Sequence, residues 1–173
     1  MICPNCSHDN IPGEDYCTEC QADLRDLDGL RPKTPLQKSI LEDKLEILCT
    51  HPPTTVTADT KLRKVVDLMS KKRIGSVVVG TTEPLQGILT ERDFLYKIIG
   101  KGVDIDTATV GEFMTPNPAT VATDQPIARA LYSMSTIGVR HLPLMKDGKL
   151  VEILSAHDIL NYLHAANHKS AAS

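Results

Sequence analysis

Two stretches of the chain place apolar residues at i, i+3, i+4 and i+7. They are Leu62, Val65, Val66 and Met69, and then Ile127, Ala130, Leu131 and Met134. That spacing predicts an amphipathic helix with one buried stripe. An apolar strand is expected after each helix, from Ile74 to Val79 and from Val139 to Leu144. A turn follows, at residues 81–84 and at Lys146-Asp147-Gly148-Lys149, then a third strand, Leu85 to Leu89 and Leu150 to Leu154. A closing helix is expected around Phe94, Leu95, Ile98 and Ile99, and around Ile159, Leu160 and Leu163. Ahead of each series, Thr55-Val56 and Thr120-Val121 read as short strands, and Asp59 and Asp124 as helix N-caps. The predicted order is β-α-β-β-α, twice.

The two series align without a gap. Shifting residues 45–98 by 65 positions onto 110–163 gives twelve identities in 54 positions, among them Pro53/Pro118, Asp59/Asp124, Met69/Met134, Ile88/Ile153 and Asp93/Asp158. Average composition would give about three. Two copies of one supersecondary unit account for this. Neither copy alone can bury both faces, so the copies are expected to pack as a pseudo-twofold pair.

Several motifs recur in order: Ile74-Gly75-Ser76-Val77-Val78-Val79, Gly87-Ile88-Leu89-Thr90-Glu91-Arg92-Asp93, Met114-Thr115-Pro116, Gly138-Val139-Arg140-His141-Leu142-Pro143-Leu144 and Ile153-Leu154-Ser155-Ala156-His157-Asp158. Over residues 45–164 the chain resembles a tandem pair of cystathionine-β-synthase (CBS) domains, a Bateman module. The fold class expected is α+β: two β-α-β-β-α units with pseudo-twofold symmetry, plus a small N-terminal zinc ribbon built on four cysteines.

The resemblance implies a non-catalytic sensor for an adenosine-containing ligand: AMP, ADP, ATP, S-adenosylmethionine or NAD(H). It implies that Asp93 and Asp158 hold ribose hydroxyls, where a carboxylate can accept charge-assisted bonds. Thr90 and Ser155 line the ribose-phosphate path, at the start of helices whose free N–H groups face a phosphate. Thr55, Val56 and Val77, and Thr120, Val121, Leu142 and Pro143, frame adenine. Arg92, Arg140, His141 and His157 are the candidate phosphate partners. Simpler roles stand beside these. Thr90-x-x-Asp93 and Ser155-x-x-Asp158 also suit capping boxes, the arginines suit surface or interface positions, and the histidines suit ordinary polar ones. The copies differ at Gly87, whose equivalent in the second copy is Glu152, a carboxylate that could repel phosphate. Arg140, His141 and His157 favour the second copy for a phosphorylated ligand. The family also implies a homodimer.

The first twenty residues are of a different kind. Cys3-Pro-Asn-Cys6 and Cys17-Thr-Glu-Cys20 resemble a zinc ribbon, four thiolates that can close around one tetrahedral ion. Two disulfides, a redox pair or an iron centre are the alternatives. So short a segment cannot build a sufficient core unaided, so a metal would supply folding energy. Cys49 stands apart as a small buried hydrophobe, and His8 as a surface residue. Residues 1–30 hold seven acidic residues and one basic residue. That charge argues against contact with nucleic-acid phosphates and points to protein docking. A hinge is expected at 25–34, then a helix over 35–48 opened by Thr34-Pro35, and a frayed tail near 165–173. The domains expected are a ribbon at 1–24, the linker, a helix plus first CBS domain at 35–100, and a second CBS domain with a short tail at 101–173.

Composition narrows the function further. Aromatics are 3% and Trp is absent, which disfavours a reader of stacked bases. Net charge is −3, too little to draw polyanions. No run of 18 apolar residues predicts a membrane span and no signal peptide is evident, so a cytoplasmic location is expected. No P-loop, GxSxG elbow or HExxH is present, so no catalytic residue is assigned. A ligand-free protein-interaction scaffold is the main alternative function, and a nucleic-acid-associated regulator a weaker one. The protein partner is not specified by the sequence.

Overall fold

The computed structural model of the protein describes residues 1–11, 13–25, 34–49, 52–81 and 85–171. Most of the expected linker and residues 82–84 of the expected first turn lie outside the described residues. The elements run α1 (Pro35–Glu42), a 3-10 turn (Leu45–Leu48), β1 (Thr55–Val56), α2 (Leu62–Lys72), β2 (Ser76–Gly80) and β3 (Leu85–Thr90). Then come α3 (Glu91–Asp93), which runs into a π-turn at Phe94–Ile98, α4 (Val110–Phe113), β4 (Thr115–Pro116) and β5 (Val121–Ala122). The last are α5 (Ile127–Ile137), β6 (His141–Lys146), β7 (Lys149–Ser155) and α6 (Ala156–Ala171). The β-α-β-β-α order is present in both copies. The tail expected to fray continues α6 as far as Ala171, as the helix-favouring Ala165-Ala166 pair allows.

By compactness the chain falls into two units, one of Met1–Leu48, Val121–Arg140 and Leu154–Ser173, the other of Cys49–Thr120 and His141–Ile153. In the second of these, β1 to β4 form a sheet in sequence order. β1 lies parallel to β2, with Thr55 opposite Val78, and β2 runs antiparallel to β3, with Ser76 opposite Thr90. Val77, Val79 and Leu89 of this sheet pack with Leu62, Val65 and Met69 of α2, with Ile98 and with Val110. The stripe read from the sequence is therefore the seam of this core.

Within each unit the leading segment of one copy is bonded to the helix start of the other copy. In one unit, Leu45 N–H donates to the Gln125 carbonyl at 2.9 Å, Glu46 N–H to Thr123 at 2.9 Å, and Ile127 N–H to Asp43 at 3.0 Å. In the other, Val110 N–H donates to Thr60 at 2.9 Å, Gly111 N–H to Ala58 at 2.8 Å, and Leu62 N–H to Ala108 at 3.1 Å. Each bond of one set becomes its counterpart when the positions are moved by the 65-residue repeat, with the copies exchanged. Leu45 and Val110, at equivalent positions, are both fully buried.

These bonds correct two expectations. The helix expected over 35–48 stops at Glu42, because the backbone from Asp43 to Glu46 turns to bond residues 123–127. The N-caps expected at Asp59 and Asp124 are instead Lys61 and Pro126, neither with a side-chain cap bond. The first helical N–H groups of α2 and α5 are satisfied by the carbonyls of Ala108 and Asp43. Asp59 belongs to the turn before α2, where a hydrogen bond from Thr57 holds its carboxyl below the ordinary range.

Candidate ligand sites and metal centre

The N-terminal segment folds as two equivalent knuckles. Cys3 N–H donates to His8 and Ser7 N–H to Cys3, at 2.8 Å each. Cys17 N–H donates to Ala22 at 2.8 Å and Gln21 N–H to Cys17 at 2.9 Å. Ser7 and Gln21, each following a knuckle's second cysteine, take left-handed φ values of 63° and 59°. The turns bring Cys3 Sγ to 3.6 Å from Cys20 Sγ and Cys6 Sγ to 3.5 Å from Cys17 Sγ. All four sulfurs lie within 4.8 Å of one another. A tetrahedral ion with Zn–S bonds of about 2.3 Å sets its sulfurs about 3.8 Å apart. A disulfide needs about 2.05 Å, and all four cysteines are free thiols. The four sequence-predicted ligands are thus brought together in a cluster that could hold a metal ion.

The surrounding donors suit thiolates. Asn5 N–H points at Cys3 Sγ at 3.3 Å, the Asn5 amide at Cys20 Sγ at 3.2 Å, and the buried Asn10 amide at Cys17 Sγ at 3.5 Å. Burial opposes ionisation of Cys17, but N–H groups of Cys20 and Glu19 and the Asn10 amide outweigh it and hold the thiol at about 6. Cys6 is pushed up to about 12 by desolvation and by the neighbouring thiols. Four sulfurs this close cannot all ionise unless a cation joins them. Asn5 and Asn10 were missed in the sequence, although each lies within four residues of a cysteine or of its knuckle.

In the first copy the expected ribose carboxylate is already engaged. Asp93 is 8% exposed. Its Oδ2 accepts from Thr90 N–H and from the Thr90 hydroxyl, both at 2.8 Å, forming a capping box at the start of α3. Its Oδ1 takes the Lys97 ammonium at 2.7 Å, and that ammonium also donates to the Phe113 carbonyl at 2.9 Å. Lys97 was missed, yet the Asp93–Lys97 spacing of four is a pairing signal on a helix. Val77, expected to frame adenine, has its side chain fully enclosed in the α2 core. Thr55 and Arg92 are exposed and Val56 is half-buried. Gly87 is small for a local reason. A Cβ there would lie 2.7 Å from Met114 Sδ and 2.9 Å from the Thr115 carbonyl, where β4 pairs antiparallel with β3.

In the second copy the same motif stands open. Asp158 Oδ2 accepts from Ser155 N–H at 2.8 Å and from the Ser155 hydroxyl at 2.6 Å. Asp158 is exposed, and among the described residues its Oδ1 has no partner. Arg140 is exposed, and its carbonyl receives Ala156 N–H at 2.9 Å, as the Gly75 carbonyl receives Glu91 N–H in the first copy. His157 is exposed and its Nδ1 lies 3.1 Å from the Asn161 amide. Thr120 is exposed, while Val121, Leu142 and Pro143 are buried. The expected adenine frame of the second copy therefore consists largely of enclosed side chains. His141 is half-buried beside Gly75, where its ring and Glu91 both crowd the space a Cβ would fill.

The structure thus holds a repeated β-α-β-β-α unit with an acid at the turn into each closing helix. A family model for the CBS domain matches residues 44–100 and 110–165, so the chain belongs to the CBS-domain family. Proteins of this family are typically regulatory modules that bind adenosine-type ligands. The chain is similar to the CBS domain-containing protein CBSX3, mitochondrial, of Arabidopsis thaliana, at 33% identity over 60% of this chain and 53% of the relative. The chain thus spans about half the length of that relative. It is 31% identical to Hypoxic response protein 1 of Mycobacterium tuberculosis over 64% of this chain and 78% of that protein. A crystal structure of Hypoxic Response Protein I with two coordinated zinc ions matches with a TM-score of 0.60 at 28% identity. It covers 69% of this chain and 98% of that one. The family match begins at residue 44, so the cysteine knuckles lie outside it. Among the described residues no helix is long and apolar enough to cross a membrane.

Proposed function

We propose that the chain is a non-catalytic regulatory module that binds an adenosine-containing ligand at its second CBS copy and passes the binding event to a protein partner. The supporting observation is the contrast between the two acids. Asp158 offers an unpartnered oxygen at an exposed turn, whereas both oxygens of Asp93 are engaged. α6 strengthens the contrast: it has sixteen residues and a full helix dipole behind Ser155, while α3 has three. Asp158 would accept the ribose hydroxyls. Ser155, Arg140 and His157 would border the phosphates. Thr55, Val56, Thr90 and Arg92 would border a first-copy site, open only once Lys97 leaves Asp93.

The cysteine cluster is read as a structural zinc site, by its all-sulfur donor set and its spacing. Exposed Leu95, Tyr96 and Ile99 supply apolar surface for a homodimer. The domain division at 1–24, 25–34, 35–100 and 101–173 and a cytoplasmic location remain part of the proposal. A ligand acts in such a module only through different affinities for two arrangements.

The test is thermal unfolding of the zinc-loaded chain with AMP, ADP, ATP, S-adenosylmethionine and NADH. A ligand at 100 times its Kd stabilises by about 2.7 kcal/mol. Asp158→Ala is expected to abolish the shift and Asp93→Ala to leave it. A panel without any shift would replace this function with a ligand-free interaction scaffold.

A further inference from the structure

The cysteine knuckles are fastened to α5, the stripe helix of the second copy, within one compact unit. Three contacts do this. The Arg129 guanidinium, on the first turn of α5, donates to Asn5 Oδ1. The Ser7 hydroxyl donates to Gln125 Oε1 just ahead of α5. Tyr132, one turn further, packs on the small core of Cys3, Cys17, Ala22 and Leu24. Asn5 is the pivot, because the amide whose oxygen accepts Arg129 also points its nitrogen at Cys20 Sγ at 3.2 Å.

From this geometry we infer that metal occupancy of the four-cysteine cluster sets the local stability of α5, with the Asn5 amide and Arg129 as the link. The inference rests on the cluster binding a metal. A Cys20 thiolate held by a cation is a fixed acceptor for the Asn5 amide nitrogen. That fixes the plane of the amide and therefore the position of the oxygen that Arg129 uses. Without the ion nothing joins the four sulfurs, and the knuckles have too little apolar core to keep their shape. Asn5, Ser7 and the surface under Tyr132 then lose their positions together. α2, the equivalent helix of the first copy, carries Lys64 and Asp67 where α5 carries Arg129 and Tyr132, and both are exposed. It serves as an internal control. The ribbon is on this account a metal-dependent brace on one CBS copy rather than a free docking arm.

Amide hydrogen exchange on the full chain tests this. The zinc content of the purified chain is measured first, and exchange is then followed with zinc bound and after chelation. Chelation is expected to raise exchange across residues 127–137 by about tenfold, the scale of one lost charge-assisted bond, with little change across 62–72. In Arg129→Met, which keeps an apolar stem, α5 is expected to exchange faster even with zinc bound, and chelation to add only a small further rise. A chain that takes up no zinc overturns both the metal reading and this inference. A chain that binds zinc while α5 stays unchanged on chelation, or changes in step with α2, overturns the inference alone. So does Arg129→Met if it responds to chelation as the unaltered chain does.

Discussion

Replacing each of the two equivalent acids by alanine separates a structural role from a binding one. Asp93→Ala removes an acceptor whose side chain is 10% exposed. The Thr90 N–H and hydroxyl then lose a charged partner in a place water hardly reaches. Losing a cap of this kind costs about 0.5–2 kcal/mol, and a bond to a buried charge about 1.5–3 kcal/mol. The two share one oxygen and overlap. The Lys97 side of the pair is 41% exposed and screened, so it adds less than about 1 kcal/mol. The sum is about 2–3 kcal/mol. For a chain of this length that corresponds to a fall in Tm of about 4–12 °C. Asp158→Ala breaks the same box on an exposed turn where water replaces the carboxylate. Its cost is a cap's lower range, about 0.5–1 kcal/mol, or about 1–4 °C. Thermal unfolding of both variants without ligand, followed by circular dichroism, reads the difference. Equal shifts, or a larger shift for Asp158→Ala, would refute the claim that Asp93 is a buried structural acid.

Two further perturbations test how the copies diverge. Arg73 ends α2 with φ 54°, and Gly138 ends α5 with φ 74° at the equivalent position. Arg73→Gly is expected to stabilise by up to about 1 kcal/mol and Gly138→Ala to destabilise by about 1 kcal/mol in urea unfolding. Opposite signs for either would mean that side-chain contacts outweigh the left-handed strain. Gly87→Ala drives a methyl against the Thr115 carbonyl and is expected to cost about 1–3 kcal/mol by separating β4 from β3. A neutral effect in the same assay would show that β4 can shift without loss.

How much of this was legible depends on how local each signal is. The stripes of α2 and α5, the hairpin strands and the four clustered cysteines are properties of a few neighbouring residues, and they came through. Asp93 and Asp158 sit in the same Ser/Thr-x-x-Asp motif. The sequence therefore presents them as equals, and capping and ribose binding call for the same letters. What separates them is Lys97, four positions on, where the second copy has Tyr162, whose hydroxyl donates to Asp43 instead. Burial follows the same division: the carboxylate with an ammonium on it is enclosed, and the one without is exposed. Val77 shows the reverse limit. It lies in the motif that carries the family resemblance, but its place in the alternation of β2 turns it into the α2 core.

The exchange of leading segments was hidden for a stricter reason. A sequence repeat reports that residues 45 and 110 are equivalent, and it is satisfied equally whether each segment bonds its own copy or the other one. Both arrangements bury an aliphatic residue at that position and use only backbone N–H and carbonyl groups, which every residue but proline supplies in full. The choice is therefore made by chain geometry and leaves no mark in side-chain type. One trace does survive. Asp59 and Asp124 occupy cap-like positions without capping, because the helix starts they precede are already satisfied by backbone from the exchanged segment. An N-cap signal that the structure does not use is thus a consequence of the exchange. The knuckles pack on Tyr132 of that same second-copy helix, α5, in the unit where the 43–46 backbone bonds its start.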